Sequence, residues 1–194
     1  MSKIVAFFGP DGAGKSTVLS LVVQDLERRG LSPKTFYFAP GFLPRYRPKF
    51  DGSVTTNPHE GRQYRPVLIA AKIALMLFEF RMGLCAVRRR HRLALFDRFI
   101  HDLLVDPKRY RMGRVRWWMR AMITLAPRPD LVVVISAPAE VIHARKQEVP
   151  FAETERQILA YAALAEAFPN ACVIVNATTP EAAAEQVIAR ILPP

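Results

Sequence analysis

The chain has 194 residues, 51% of them apolar, with a formal net charge of +11. That length accommodates one α/β domain with a full core, and the apolar share fits a globular protein. The charge points to anionic partners (nucleotides, nucleic acid or an acidic membrane surface) without choosing among them. The two cysteines, Cys85 and Cys172, lie in apolar stretches and form neither a C-x-x-C pattern nor a disulfide framework. A reduced, cytoplasmic setting is the simpler expectation, and no signal-peptide pattern is visible.

The first element is an apolar run, Ile4–Phe8, which reads as a buried strand. It leads into Gly9-Pro10-Asp11-Gly12-Ala13-Gly14-Lys15-Ser16-Thr17, which matches G-x-x-x-x-G-K-[ST], the phosphate-binding loop. A helical pattern over Lys15–Arg29 follows. The strand delivers the loop, and the helix N-terminus adds a positive dipole end and unpaired N–H groups. Gly12 and Gly14 let successive N–H groups turn toward one anion. Lys15 can reach the β- and γ-phosphates, and the Ser16 hydroxyl can ligate Mg²⁺. The nucleotide-binding set expected here is Gly9, Asp11, Gly12, Ala13, Gly14, Lys15, Ser16 and Thr17.

A second strand is expected at Thr35–Phe38. The stretch 39–66 then reads as a long loop, with five prolines, three glycines and several basic residues. Long loops inside compact domains are usually functional or disordered. Val67–Arg90 reads as a helix. Within it, Val67–Val87 is long and apolar, but Lys72, Glu79 and Arg81 interrupt it. A charge at a bilayer centre costs about 2.5–3.5 kcal/mol, so a buried helix, in the core or at a dimer interface, is expected rather than a membrane span.

Leu93–Phe96 is an apolar strand that ends in Asp97-Arg98. A carboxylate at such a strand end faces Mg²⁺ in phosphate-loop proteins. Arg98 supplies a fork-shaped donor suited to phosphate. The segment 106–120 is dense in arginine and holds Trp117 and Trp118, and it is a second candidate to close over a ligand. A helix is expected within it, over Val115–Leu125.

Leu131–Ser136 is the fourth strand. The helix Ala139–Lys146 after it ends in a basic pair, and 145–153 is where small kinases keep a lid. An arginine there neutralises charge on the transferring phosphoryl group, which makes Arg145 a candidate. Its alternative role is a cation favoured by the helix dipole. His143 reads as an ordinary helix residue. A helix over Thr154–Phe168 precedes the fifth strand, Ala171–Val175. That strand ends in Asn176-Ala177-Thr178, a turn positioned to border an adenine. Thr178 or Thr179 also suits the N-cap of a last helix, Pro180–Ile191. Strands alternating with helices imply a parallel sheet covered on both faces. No composition break divides residues 1–194, so a single domain is expected.

The loop at 9–17, the Asp97-Arg98-Phe99 strand end and the Arg128-Pro129-Asp130-Leu131-Val132-Val133-Val134 run resemble thymidylate kinases. The resemblance implies a P-loop fold with a five-stranded parallel sheet of order 2-3-1-4-5, phosphoryl transfer from Mg-ATP, and a homodimer formed through long helices. It implies that Lys15 and Ser16 serve phosphate and metal, that Asp97 lies near Mg²⁺, that Arg98 grips the acceptor phosphate, and that Arg145 is the lid arginine. Asp11 matches a loop acid of many family members.

The acceptor side departs from that pattern. The second strand is followed by Phe38-Ala39-Pro40-Gly41-Phe42, without the family's acid. After Asp97-Arg98 the chain reads Ile100-His101-Asp102-Leu103-Leu104-Val105-Asp106-Pro107, without the glutamine that meets thymine. The basic stretch Lys108-Arg109-Tyr110-Arg111 follows. Thymidylate kinase activity on dTMP is the leading expectation. A same-fold kinase of a sugar, sugar phosphate or glycolipid is the alternative, with Asp97 or Asp102 available as base for a hydroxyl acceptor. A nucleic-acid-binding ATPase or nucleotide-dependent switch, suggested by the charge and by Arg88-Arg89-Arg90-His91-Arg92, is a third. No nucleic-acid recognition motif accompanies that charge. Peripheral membrane contact through Trp117 and Trp118 is less favoured than a half-core, half-solvated placement.

Overall fold

The computed structural model describes residues 2–43, 64–146, 149–175 and 179–192. Five strands form one parallel sheet: β1 (Lys3–Phe8), β2 (Lys34–Tyr37), β3 (Leu93–Asp97), β4 (Leu131–Ser136) and β5 (Ala171–Val175). Their spatial order is β2-β3-β1-β4-β5. All four pairings are parallel, with Phe7 opposite Asp97 and Phe8 opposite Val134. The chain therefore crosses over a face of the sheet between strands, and helices supply the crossovers.

The helices are α1 (Lys15–Arg28), α2 (Pro66–Arg90), α3 (Trp117–Ile123), α4 (Ala139–Arg145), α5 (Phe151–Glu166) and α6 (Pro180–Ile191). Alternate strand residues feed two cores. Ile4, Ala6, Phe8, Phe96 and Val134 pack under α2, α3 and α5. Val5, Phe7, Leu95, Val133 and Ile135 pack under α1 and α6. The inner strands have apolar side chains on both faces because both are covered.

The expected strands and helices are all present, with ends displaced by a few residues. The helix expected over 115–125 is shorter, Trp117–Ile123, and the one expected from Thr154 begins at Phe151, behind Pro150. Proline preorganises a helix entry, which explains the earlier start. Two 3-10 turns, Ile100–Leu104 and Lys108–Tyr110, fold the segment after β3 against the sheet end. Thr179 caps α6, accepting a bond from the Ala182 N–H at 3.2 Å.

Placement against the cores separates the two tryptophans. Trp118 packs on the α2–α3–α5 core, whereas Trp117 is 81% exposed. Cys85, expected in apolar surroundings, is exposed on α2. No helix among the described residues is long and apolar enough to cross a membrane.

Candidate active site

The glycine-rich loop joins β1 to α1 at the carboxyl end of the central strand. Gly9 has φ +139°, and a Cβ there would lie 2.0 Å from the Ile135 carbonyl oxygen. Only glycine lets the loop lie this close to β4. A Cβ on Gly12, at φ +90°, would meet the Ile142 carbonyl oxygen at 3.1 Å and Lys146 Cβ at 3.2 Å. The loop is thereby seated against the C-terminal end of α4. Gly14, in the left-handed region, is the N-cap of α1, with no side-chain cap and no acid in the first turn. The end of α1 thus retains its capacity for an anion.

Asp11, Gly12, Gly14, Lys15, Ser16 and Thr17 line a cleft of about 370 Å³, completed by Arg145, Lys146 and Pro180. Ser16 and Thr17 are exposed at its rim and Ala13 is buried beneath it. Lys15 is buried and donates to the Pro10 carbonyl at 3.0 Å, with Asp11 Oδ1 at 3.5 Å. Burial, with Arg98 nearby, brings its ammonium down to about 8.

β3 and the turns after it bring a second group of residues to the loop. Arg98 sits at φ +72°, rare for a side chain this large. Its N–H is held by the Phe7 carbonyl at 2.9 Å. The side chain is 3% exposed. It donates to Asp102 Oδ2 at 2.8 Å, to the Tyr161 hydroxyl at 3.2 Å and to Asp11. Arg109, from the 108–110 turn, reaches the other oxygen of Asp11 and also Asp106 Oδ2, the latter at 3.3 Å. Asp11 is thus shared by two arginines. Burial alone would raise its carboxyl; Arg98, Lys15 and Arg109 outweigh that and hold it well below the usual range.

Asp102 is fully buried. Its oxygens accept from Arg98, from Tyr110 at 2.8 Å and from Tyr161 at 2.6 Å. Burial and the adjacent carboxylate push both tyrosine hydroxyls well above their ordinary value, so they stay protonated donors. Three buried donors converge on Asp102, an arrangement that suits it to fixing the Arg98 fork rather than to taking a proton from an acceptor.

Asp97 closes β3, opposite Phe7 in β1 and Tyr37 in β2. Its Oδ1 is buried without a hydrogen-bond partner among the described residues. An unpartnered buried carboxylate oxygen is costly unless something fills the position. The described residues contain no group of three or more His, Cys, Asp and Glu able to hold a metal. Asp97 and the Ser16 hydroxyl are the groups that could hold Mg²⁺, an ion that takes its other ligands from water and phosphate.

Of the expected site residues, the structure brings together Lys15, Asp11, Arg98 and the loop, and it puts Arg145 on the rim of the loop cleft. Asn176 and Ala177 lie outside the described residues, as do 147 and 148 of the candidate lid and 44–63 of the candidate acceptor loop. The described ends of that loop are anchored. Glu79, buried in α2, accepts the Phe42 and Leu43 N–H groups at 2.6 Å each, and the Tyr64 N–H reaches the Arg111 carbonyl at 3.0 Å. His143 is half-buried, with its ring edge-on to Phe151.

Sequence reasoning gave no site role to Tyr161. It occupies an apolar position of α5, and nothing local signals that its hydroxyl meets an aspartate 59 residues away. Tyr110 and Arg109 were legible only as part of a basic stretch.

A scan against protein-family models and a search of curated proteins find no match to this chain.

Proposed function

We propose that the chain is a P-loop kinase of the thymidylate-kinase type. In this reading it transfers the γ-phosphoryl group of Mg-ATP to a nucleoside monophosphate, with dTMP the leading acceptor. The observation that carries the reading is the meeting of Lys15, Arg98 and Arg109 around the Asp11 carboxylate, beside the glycine-rich loop. Three cations around one anionic group make a centre able to hold a phosphate between a nucleotide and its acceptor.

The triphosphate would lie in the 370 Å³ cleft, against the uncapped start of α1. Lys15 would exchange the Pro10 carbonyl for phosphate oxygens. Asp97 and Ser16 would hold Mg²⁺, and the free Asp97 Oδ1 supports that assignment. When bound, the metal neutralises charge on the β- and γ-phosphates. An acceptor phosphate oxygen would attack the γ-phosphorus as the bond to the bridging β–γ oxygen breaks, and ADP leaves. Arg98 and Arg109 would orient the acceptor phosphate. Arg145 would face the transferring group from the α4 side. An ionised acceptor phosphate needs no strong base, which agrees with the closure of Asp102.

A second reading keeps the chemistry and changes the acceptor to a sugar, sugar phosphate or glycolipid. It is favoured by the run Ile100 to Pro107, which lacks the glutamine with which the resembled family meets thymine. A coupled ADP-release assay with Mg-ATP against dTMP, other nucleotides, sugars and sugar phosphates decides between them. Selective dTMP turnover establishes the first. Turnover only with sugars or sugar phosphates establishes the second, and no turnover with any acceptor removes both.

The same reading includes a homodimer through α2. Leu68, Ala71, Leu75, Phe78, Met82 and Cys85 recur every three or four residues, and all are exposed. A second copy of the same stripe is its natural cover.

A further inference from the structure

We propose that a second cleft, behind the turn that carries Arg109, binds a phosphate group attached to a short apolar chain. The cleft encloses about 310 Å³ and shares no lining residue with the glycine-loop cleft. It does not depend on the kinase reading.

Lys108 and Arg109 are neighbours on one 3-10 turn. Arg109 reaches Asp11 in the first site, whereas Lys108 lines the second cleft with Arg114, Arg120 and Arg156. The single acid of the cleft is Glu153. It is engaged by Arg156, which donates from Nε at 2.9 Å and from Nη2 at 2.7 Å. Arg156 also bonds the Val105 carbonyl at 2.8 Å. Lys108, Arg114 and Arg120 form no ion pair within 4.0 Å among the described residues. Four cations and one acid leave a charge of +3 around a concave space.

Like charges crowded around a hollow destabilise the empty protein and favour a multivalent anion. Arginine forks fit the oxygens of a phosphate monoester, and Lys108 adds a point charge. Leu104 and Val115, both half-buried, give the cleft an apolar part. That surface has no use for inorganic phosphate alone but accepts a short hydrocarbon chain. The phosphate can come from a soluble ester or from a lipid headgroup.

The test is equilibrium binding of hexyl phosphate to the full chain, with a non-hydrolysable ATP analogue saturating the first site. Sedimentation is run in parallel with phosphatidylcholine vesicles containing phosphatidic acid or phosphatidylserine. The expected result is one hexyl phosphate per chain, bound at least tenfold more tightly than inorganic phosphate. It persists in Lys15→Ala and is weakened at least tenfold in Arg114→Glu/Arg120→Glu. Lys108→Gln, a milder change, weakens it to a lesser degree and guards against misfolding of the double variant. Vesicle binding that requires phosphatidic acid and the same arginines assigns the phosphate to a lipid. The proposal is overturned if neither probe binds, if the arginine substitutions leave binding unchanged, or if vesicles bind equally with either anionic lipid.

Discussion

The hydroxyl of Tyr161 donates to Asp102 Oδ1 at 2.6 Å, from a helix on the other side of the chain's fourth strand in sequence. Asp102 in turn holds Arg98, and the same hydroxyl accepts directly from Arg98 at 3.2 Å, so Tyr161 positions Arg98 both directly and through Asp102. Tyr161→Phe keeps the packed ring and removes only the hydroxyl. The variant loses the bond to Asp102 and the one from Arg98, and the first alone costs about 1–3 kcal/mol. We expect a lower urea midpoint, a raised acceptor KM and unchanged ATP affinity. A midpoint equal to wild type removes Tyr161 from the network.

Lys15 gives a pH signature. Its ammonium titrates at about 8 in the folded chain against an ordinary 10.5. Between those values the unfolded chain binds the extra proton, so stability of the nucleotide-free protein rises with pH across that window. The full effect is on the order of 3 kcal/mol. Lys15→Met abolishes the rise and stabilises the nucleotide-free chain near neutral pH while eliminating phosphoryl transfer. In the wild type, kcat/KM for ATP falls above pH 8, as the charge that meets the phosphates is lost. Flat stability between pH 8 and 10 in the wild type contradicts the burial of this ammonium.

His101 acts at the acid end. Its ring stacks on Phe99 with centroids 5.8 Å apart and meets Phe168 edge-on at 5.0 Å. Burial, and then Arg128, bring it from 6.5 to about 4. The folded chain keeps the ring neutral while the unfolded chain protonates it, so stability is lost as pH falls from 6.5 toward 4. His101→Phe preserves the ring contacts and flattens that limb. Urea midpoints at pH 4.5 and pH 7 measure it; an equal acid loss in both proteins assigns the effect elsewhere.

The α2 stripe makes the oligomer testable at its centre, where Phe78 is 50% exposed. Phe78→Glu places two like charges at a symmetric contact and desolvates both. Sedimentation equilibrium should show a dimer for wild type and a monomer for the variant, with the far-ultraviolet spectrum unchanged. A wild-type monomer across the whole concentration range of the experiment removes the dimer from the proposal.

The fold was legible because the sheet buries both faces. Ile4–Phe8 and Leu131–Ser136 are continuous apolar runs, which few structures other than inner parallel strands require. The glycine loop was legible because its residue types are tied to backbone geometry, as Gly9 against Ile135 illustrates. Arg98 could be singled out by its place after a strand, but its left-handed backbone could not, since nothing in Asp97-Arg98-Phe99 demands it. The Asp102 shell was hidden for another reason. A buried carboxylate is satisfied by whatever donors the tertiary fold delivers, here from residues 98, 110 and 161. Periodicity marks Tyr161 only as a core position.

Asp97 and its unpartnered Oδ1 give the most direct test of the metal assignment. Asn has nearly the same shape but offers a neutral oxygen and an N–H₂ group. If the carboxylate holds Mg²⁺, Asp97→Asn raises the Mg²⁺ concentration for half-maximal turnover by about 10–100-fold, in line with losses at metal sites. Nucleotide binding without metal should be unchanged or slightly tighter, because one negative charge near the phosphates is gone. The variant should also be no less stable than wild type, since no protein hydrogen bond to Oδ1 is lost. Mg²⁺ titrations of ADP release, with metal-free nucleotide binding followed by fluorescence, read both effects. An unchanged Mg²⁺ requirement moves the metal away from β3 and leaves Asp97 as a half-buried carboxylate near the Lys15 charge.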